Sequence, residues 1–291
     1  MNLVRFLDDD GRAKLGVLDA TGIHPLPLPD MATLLRHSAA EIRELTEQAI
    51  ATGVVRPLAR TSLLAPIDGL TEVWGAGVTY LLSRSARMEE SRHDLVYQDV
   101  YDAQRPELFF KSAAWRVRTD REQAGIRADC PDSVPEPELC LVLNRHAEII
   151  GALVGNDITA RGIEAENPIY LPQAKLYTGS CALSPQIVPW WSITAPEDLG
   201  ITMTIQRGQE TAFSGETRTS SMKRDYAELV EWLFQANEFP DGVVLSTGTG
   251  IVPPLGEGLR DGDVVTVCID QVGVLTNTMA QIQRTEGALA R

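Results

Sequence analysis

The chain has 291 residues, with 26 Lys and Arg against 40 Asp and Glu, a net charge of −14 and 44% hydrophobic residues. This is globular composition, long enough for one large or two modest domains around a sizeable core. The acidic excess, unrelieved by any Lys/Arg cluster, repels phosphate backbones and anionic headgroups, which excludes nucleic acid and membrane surfaces as partners.

The N-terminus, MNLVRFLDDDGR, reaches three consecutive aspartates by position 10 and has no room for a signal-peptide apolar stretch. No apolar run approaches the roughly twenty residues that span a bilayer, so a cytoplasmic protein is expected. Cys130, Cys140, Cys181 and Cys268 are far apart and form no C-x-x-C pair. They read as small buried apolar side chains in a reducing compartment, with Cys181 in YTGSCALS kept as an alternative nucleophile.

Taken in order, LVRFLDDDGRAKLGVLDATGIHPLP alternates short apolar runs with D-G and T-G turn signals, a hairpin pattern. From Met31 to Ala51, residues Leu34, Leu35, Ile42, Leu45 and Ile50 recur at helical spacing, ending at Gly53. The turn-rich stretch RTSLLAPIDGLTEVWGAG then marks a boundary, giving a small unit over 1–65 and a larger one over 66–291. In the larger unit ELCLVLN and EIIGALVGNDI predict a hairpin, and QIVPWW, GITMTIQRG, VVLSTGTG and DVVTVCID four further strands. A single clear amphipathic helix runs from about Ser221, lined by Tyr226, Leu229, Val230, Leu233 and Phe234, and stops at Pro240-Asp241-Gly242. Strands dominate without alternating with helices, which argues for a mixed, mostly antiparallel β-rich domain rather than a doubly wound parallel sheet.

Gly75-Ala76-Gly77 and Gly248-Thr249-Gly250 do not complete a dinucleotide or phosphate loop, because position 80 is Tyr80 and position 253 is Pro253. Both read as tight turns where backbone comes close to something. There is no G-x-S-x-G elbow, and His24, His37, His93 and His146 never pair at metalloprotease spacing.

The sharpest feature is Pro135-Glu136-Pro137-Glu138 leading into the strand LCLVL. In a strand Glu136 and Glu138 project from one face, about seven ångströms apart along the backbone. Two such carboxylates beside a buried strand repel unless a proton or cation lies between them. Antiparallel return of the hairpin brings Asp157, in Gly155-Asn156-Asp157, beside the pair. Three oxygen ligands without His or thiolate favour Mg²⁺ or Mn²⁺ over Zn²⁺, with Ca²⁺ as the remaining alternative.

These residues resemble the fumarylacetoacetate hydrolase superfamily, whose metal site is an E-x-E pair plus a later Asp. The resemblance runs from about Val73 to Asp270 through Gly77 to Tyr80, Phe109-Phe110-Lys111, Glu136, Glu138, Asp157, Lys175 and Gly248-Thr249-Gly250. The longer strings VTYLLSR, YDAQRPELFFK, VPEPEL, AENPIYLPQAK and TGTGIVP are most similar to its sugar-acid dehydratase branch. The resemblance implies an α+β, β-rich fold, with a small N-terminal α/β domain and a C-terminal mixed β-roll. It also implies Mg²⁺, a small anionic 2-oxo acid substrate and a homodimer or homotetramer. Family hydrolases carry a His/Glu dyad where this chain has Ser83 and Ala86. His93, Glu89 and Glu90 are the nearby residues available to replace it.

The expected activity is therefore dehydration of a 2-keto-3-deoxy pentonate to 2,5-dioxopentanoate. The alternatives are a hydrolase or decarboxylase of an acylpyruvate-like or oxaloacetate-like acid at the same metal, and a non-catalytic binding protein. Three carboxylates and a divalent cation sum to about −1, so an anionic substrate needs flanking positive charge, and Arg84, Lys111 and Lys175 are the candidates. Lys175 and Glu107 are assigned jointly to acid and base work, without fixing which does which. Desolvation disfavours the ammonium of Lys175, and the apolar neighbours of Glu107 raise its carboxyl. Thr249 and Gly248 in their turn, and Tyr80 with Arg84 on the loop after Gly77, are expected to contact substrate.

Overall fold

The structure is a computed structural model that describes residues 1–81, 100–254 and 256–282. The N-terminal part folds as β1 (Asn2–Leu7), β2 (Ala13–Leu18) and β3 (Ile23–Pro25), followed by α1 (Met31–Leu34) and α2 (Ala39–Ala51). The helical pattern over 31–51 is thus split. Asp30 caps α1 through Thr33 N–H, and Ser38 opens α2 with a reciprocal capping box to Glu41, so a new helix starts where one was expected to continue.

The remaining strands are β4 (Glu72–Gly77), β5 (Glu107–Ala113), β6 (Gln123–Arg127), β7 (Ser133–Val134), β8 (Pro137–Leu143), β9 (Ile149–Asp157) and β10 (Thr159–Ala160). Two short helices follow, α3 (Arg161–Glu166) and α4 (Leu171–Lys175), then β11 (Cys181–Leu183), β12 (Gln186–Pro189), β13 (Gly200–Arg207) and β14 (Glu210–Arg218). The chain continues with α5 (Tyr226–Phe234), β15 (Val243–Ser246), β16 (Val264–Ile269) and β17 (Gly273–Ile282). The helix α5 begins at Tyr226 rather than near Ser221 because Asp225 accepts from Glu228 N–H and sets the first turn.

The large sheet runs β3-β2-β1-β12-β9-β8-β15-β4-β5, with β11 also on β9. The second sheet runs β14-β13-β16-β17-β6. Pairing is antiparallel except β15 with β4 and β17 with β6. The β1–β12 ladder, Leu3 opposite Ile187, joins the N-terminal strands to the same large sheet.

Strand β8 shows why the centre reads as an unbroken apolar run: every residue of it is buried. Leu139, Leu141 and Leu143 face the second sheet and pack with Ile201, Met203, Ile205 and Val267, while Cys140 and Val142 face Leu34, Leu35 and Ile42 of the helical layer. A strand covered on both faces keeps no polar alternation. Each such Leu removed from water contributes about 1.5–3 kcal/mol, which fixes the register of the hairpin whose end carries the carboxylates.

Candidate active site

The β8–β9 hairpin pairs Pro137 with Asn156 and Glu138 with Gly155. Just beyond β8, Asp157 N–H donates to Glu136 O at 2.9 Å, and Glu136 N–H donates to Asn156 Oδ1 at 3.1 Å. The hairpin therefore ends by placing Glu136, Glu138 and Asp157 together, each with one carboxylate oxygen within 4.8 Å of the others. All three are buried, at 1%, 3% and 3% exposure, so their mutual repulsion is little screened by water. Burial, reinforced by the charges of Asp157 and Glu136, pushes the Glu138 carboxyl up to about 8.

Three buried cations answer the triad. Lys175, the last residue of α4, donates to Glu136 Oε2 at 2.5 Å, to Asp157 Oδ2 at 2.8 Å and to Thr159 Oγ1 at 2.7 Å. Its ammonium also lies 5.2 Å from the centre of the Phe109 ring. Lys111, on β5, ion-pairs with Asp157 and donates to Ile158 O at 3.1 Å and Lys175 O at 2.8 Å. Arg161, at the start of α3, lies 3.2 Å from Glu136 Oε1. With all three carboxylates ionised, as metal binding requires, these six groups sum to zero, and a bound divalent cation brings them to +2, a field suited to an anionic substrate. Fixed positive charge does flank the triad, with Arg161 contributing alongside Lys111 and Lys175.

The donor set fits a hard divalent cation. Glu138 is a buried carboxylate that none of these cations pairs with, and its Oε1 has no hydrogen-bond partner among the described residues. Oxygens of Glu136 and Asp157 that accept one hydrogen bond keep a second lone pair. The cleft lined by Gly77, Phe109, Glu136, Glu138, Asp157, Lys175, Gly248 and Thr249 has about 10 Å³ of free space, about one water-sized sphere.

The other expected site residues fall into place unevenly. Glu107 opens β5, opposite Gly77, and its carboxylate lies over that glycine: a Cβ on Gly77 would come within 1.9 Å of Glu107 Oε2. Gly75 and Gly77 are strand residues rather than a turn, and they are glycines because Phe109 and Glu107 lie across them. Gly248 has φ +94°, and its N–H donates to Glu138 Oε2 at 2.7 Å, so it serves a metal ligand directly. Thr249 lines the cleft, with its hydroxyl engaged in its own turn by Ile251 N and O, both at 3.2 Å. Tyr80 is buried against Gly250 and bridges to Met222, with a hydroxyl that has no hydrogen-bond partner among the described residues. Burial, helped by Tyr226 and Glu138, raises its pKa, so it stays a phenol. Burial likewise pushes the Cys181 thiol up to about 12, which removes it as a nucleophile.

Three residues with a clear part in the site were not singled out from the sequence. Arg161 follows Asp157 by four positions, and a lone Arg after an apolar strand gives no signal of burial. Thr159 accepts from Lys175. Ser246 on β15 sits opposite Cys140 and donates to Glu138 Oε2 at 2.5 Å, a relation visible only once strands separated by a hundred residues are paired.

With this geometry in hand, comparison with known proteins is decisive. Residues 88–280 match the family model described as fumarylacetoacetate (FAA) hydrolase C-terminal. The chain belongs to the fumarylacetoacetate hydrolase family. Within it, the chain is 43% identical over 217 residues to a probable 2-keto-3-deoxyxylonate dehydratase of Haloferax volcanii, covering 75% of this chain and 74% of that protein. It is 42% identical over 214 residues to the 2-dehydro-3-deoxy-D-arabinonate dehydratase of Saccharolobus solfataricus, covering 72% of each. A solved structure of 2-keto-3-deoxy-D-arabinonate dehydratase complexed with magnesium and 2,5-dioxopentanoate superposes with a TM-score of 0.81 at 32% identity, over 98% of this chain and 100% of that one. The β-rich α+β fold is that of the fumarylacetoacetate hydrolase family. Ser83 and Ala86, where its hydrolases have the His/Glu dyad, lie outside the described residues, as do Arg84, Glu89, Glu90 and His93. None of His24, His37 and His146 lines the cleft.

Proposed function

We propose that this chain is a Mg²⁺-dependent dehydratase of 2-keto-3-deoxy pentonates that releases water and 2,5-dioxopentanoate. The observation that carries the reading is the buried Glu136, Glu138 and Asp157 triad bound to Lys175, in a chain more than 40% identical to two dehydratases of such acids. Glu136, Glu138 and Asp157 hold the ion. A magnesium ion there supplies Lewis-acid polarisation of the substrate's 2-oxo group, which makes the neighbouring C3–H acidic.

The chain's own residues then handle protons and position. Loss of water breaks C3–H and C4–O, so it needs a base at C3 and an acid at the departing hydroxyl. Moving a proton from C5 back to C3 turns the resulting C3=C4 alkene into a C4=C5 enol, and a proton delivered to C4 as the enol gives up its O5 proton yields the aldehyde, so the same pair acts more than once. Lys175, on α4 and bonded to Glu136 and Asp157, and Glu107, on β5 and over Gly77, are assigned these two roles jointly. Lys111 spends its donors on Ile158, Lys175 and Asp157, so it steadies Asp157 and the turn carrying Lys175, and its charge acts on the substrate through the field. Arg84, Thr249, Gly248 and Tyr80 are the substrate-side contacts, with Gly248 acting through Glu138.

The four cysteines are free, in keeping with work in a reducing cytoplasm, and no helix among the described residues is long and apolar enough to cross a membrane. Assembly into two or four copies is the expected state of the chain, and Trp115 and Ile169, 78% and 80% exposed, are apolar side chains on its surface.

The test is direct. Protein with Mg²⁺ is incubated with 2-keto-3-deoxy-D-arabinonate and with its C4 epimer, and products are followed by NMR, with EDTA-treated protein and Glu136→Gln alongside. One five-carbon product, absent from both controls, is the expected result. Cleavage into two fragments would move the protein to the hydrolases of its family.

A further inference from the structure

Glu138 is held differently from the other two carboxylates. Ser246 Oγ donates to its Oε2 at 2.5 Å and Gly248 N–H donates to the same oxygen at 2.7 Å. No donor among the described residues reaches Oε1. The hydroxyl of Ser246 is itself backed by Cys140, whose sulfur lies 3.2 Å away. Because the Ser246 hydroxyl donates to Glu138, the contact with Cys140 has the sulfur as its donor. The frame is rigid: Ser246 and Cys140 are paired residues of the β15–β8 ladder, both buried, and Gly155 leaves room for the cysteine sulfur, which a Cβ there would meet at 2.3 Å.

We infer that Ser246, together with the Gly248 amide, is a positioning device that makes Glu138 a one-oxygen ligand and so selects a small six-coordinate cation, Mg²⁺ or Mn²⁺, against Ca²⁺. Two donors hold Oε2 in place and leave Oε1 as the oxygen open to the ion. Mg²⁺ takes single oxygens in near-ideal octahedral geometry and keeps several waters. Ca²⁺ takes six to eight oxygens and gains from carboxylates that give both of theirs. A Glu138 that cannot swing to present its second oxygen is a poorer Ca²⁺ ligand. Ser246 touches neither ion nor substrate, and it acts through Glu138. The inference rests on the reading of the triad as the metal site and adds the residue that sets its selectivity.

The experiment is calorimetric titration of EDTA-treated full-length protein with Mg²⁺ and Ca²⁺ separately, for the natural chain, Ser246→Ala and Ser246→Cys. Partners that orient a metal ligand typically affect metal affinity by about 10–100-fold. Ser246→Ala is expected to lose about tenfold or more in Mg²⁺ affinity while Ca²⁺ affinity changes by less than about threefold, so the ratio of the two collapses. Ser246→Cys keeps the shape with a weak donor and is expected to fall between, and it carries the test if the alanine variant does not fold. If the natural chain binds Mg²⁺ and both folded variants keep its Mg²⁺ to Ca²⁺ ratio, the inference is overturned and the metal site stands. If the natural chain binds neither ion, the metal-site reading fails and takes the inference with it.

Discussion

Lys175 Nζ lies 2.5 Å from Glu136 Oε2, so the proposed proton carrier and a metal ligand share one buried hydrogen bond. With Asp157 and Thr159 also accepting, the ammonium has all three donors in use, and its position is set by the ligands themselves. Removing it leaves two buried carboxylates without their shared cation, a loss of about 3–5 kcal/mol when one partner of a buried pair is deleted. Lys175→Met is therefore expected to melt well below the natural protein when metal-free, and to recover much of the difference in excess Mg²⁺. Turnover should fall by about 10²–10⁴ even with Mg²⁺ bound. Differential scanning calorimetry with and without the ion, beside steady-state kinetics, checks both, and near-normal turnover in the Mg²⁺ form would remove Lys175 from the chemistry.

Glu107 lies over Gly77, a residue of the cleft lining, without belonging to the triad. Glu107→Gln keeps the shape and removes the proton site, so kcat is expected to drop by about 10²–10⁴ while KM changes little. Mg²⁺ affinity, measured by titration, should stay within about threefold, since deletion of a ligand or its partner shifts metal affinity further. A kcat within tenfold of the natural value would show Glu107 to be a bystander.

The glycine opposite Glu107 offers a test that leaves the carboxylate in place. At Gly77 a methyl group would fall 1.9 Å from Glu107 Oε2, closer than any contact allows, and the flexible end of a side chain gives way before backbone does. Gly77→Ala is expected to displace the carboxylate and reduce kcat by about tenfold or more, because small misplacements at a reacting centre are costly. Its melting temperature should move by no more than a few degrees, as about 1 kcal/mol shifts a large domain by about 2–4 °C. Unchanged kcat in this folded variant would place the reacting carboxylate elsewhere.

Much of this site was legible in the chain itself. Glu136, Glu138 and Asp157 could be brought together from the sequence because they flank one hairpin, whose register is dictated by consecutive apolar residues buried on both faces. Lys175 and Glu107 came from a likeness to a family rather than from spacing, since α4 and β5 are too short or too mixed to orient a side chain by pattern. Arg161 and Ser246 were not foreseen. The first is an arginine neutralised by a carboxylate on another element, and the second depends on the β15–β8 ladder, which joins positions 246 and 140. The polar strands β14, ETAFSGETR, and β17, GVLTNTMAQI, were passed over for a related reason: their partners, not their composition, make them strands.

The pH response of the metal-free protein follows from Glu138. Its carboxyl is raised from an ordinary value of 4.5 to about 8, chiefly by burial and next by the charges of Asp157 and Glu136. A raised carboxyl makes the folded chain hold a proton that the unfolded chain has released, so this group's stabilisation is complete below about 4.5 and is lost as pH rises through about 8. Mg²⁺ requires the ionised form, so the proton competes with the metal below pH 8 and the competition ends above it. The rise in melting temperature caused by a fixed Mg²⁺ concentration should therefore grow from pH 6 to pH 8 and flatten beyond. A thermal-shift series across pH 6–9.5, with EDTA as the reference at each pH, measures that difference. A gain that is level from pH 6, or that falls towards pH 8, would mean that Glu138 is already ionised without the metal and that the burial of the triad is relieved by Lys111, Arg161 and Lys175 alone.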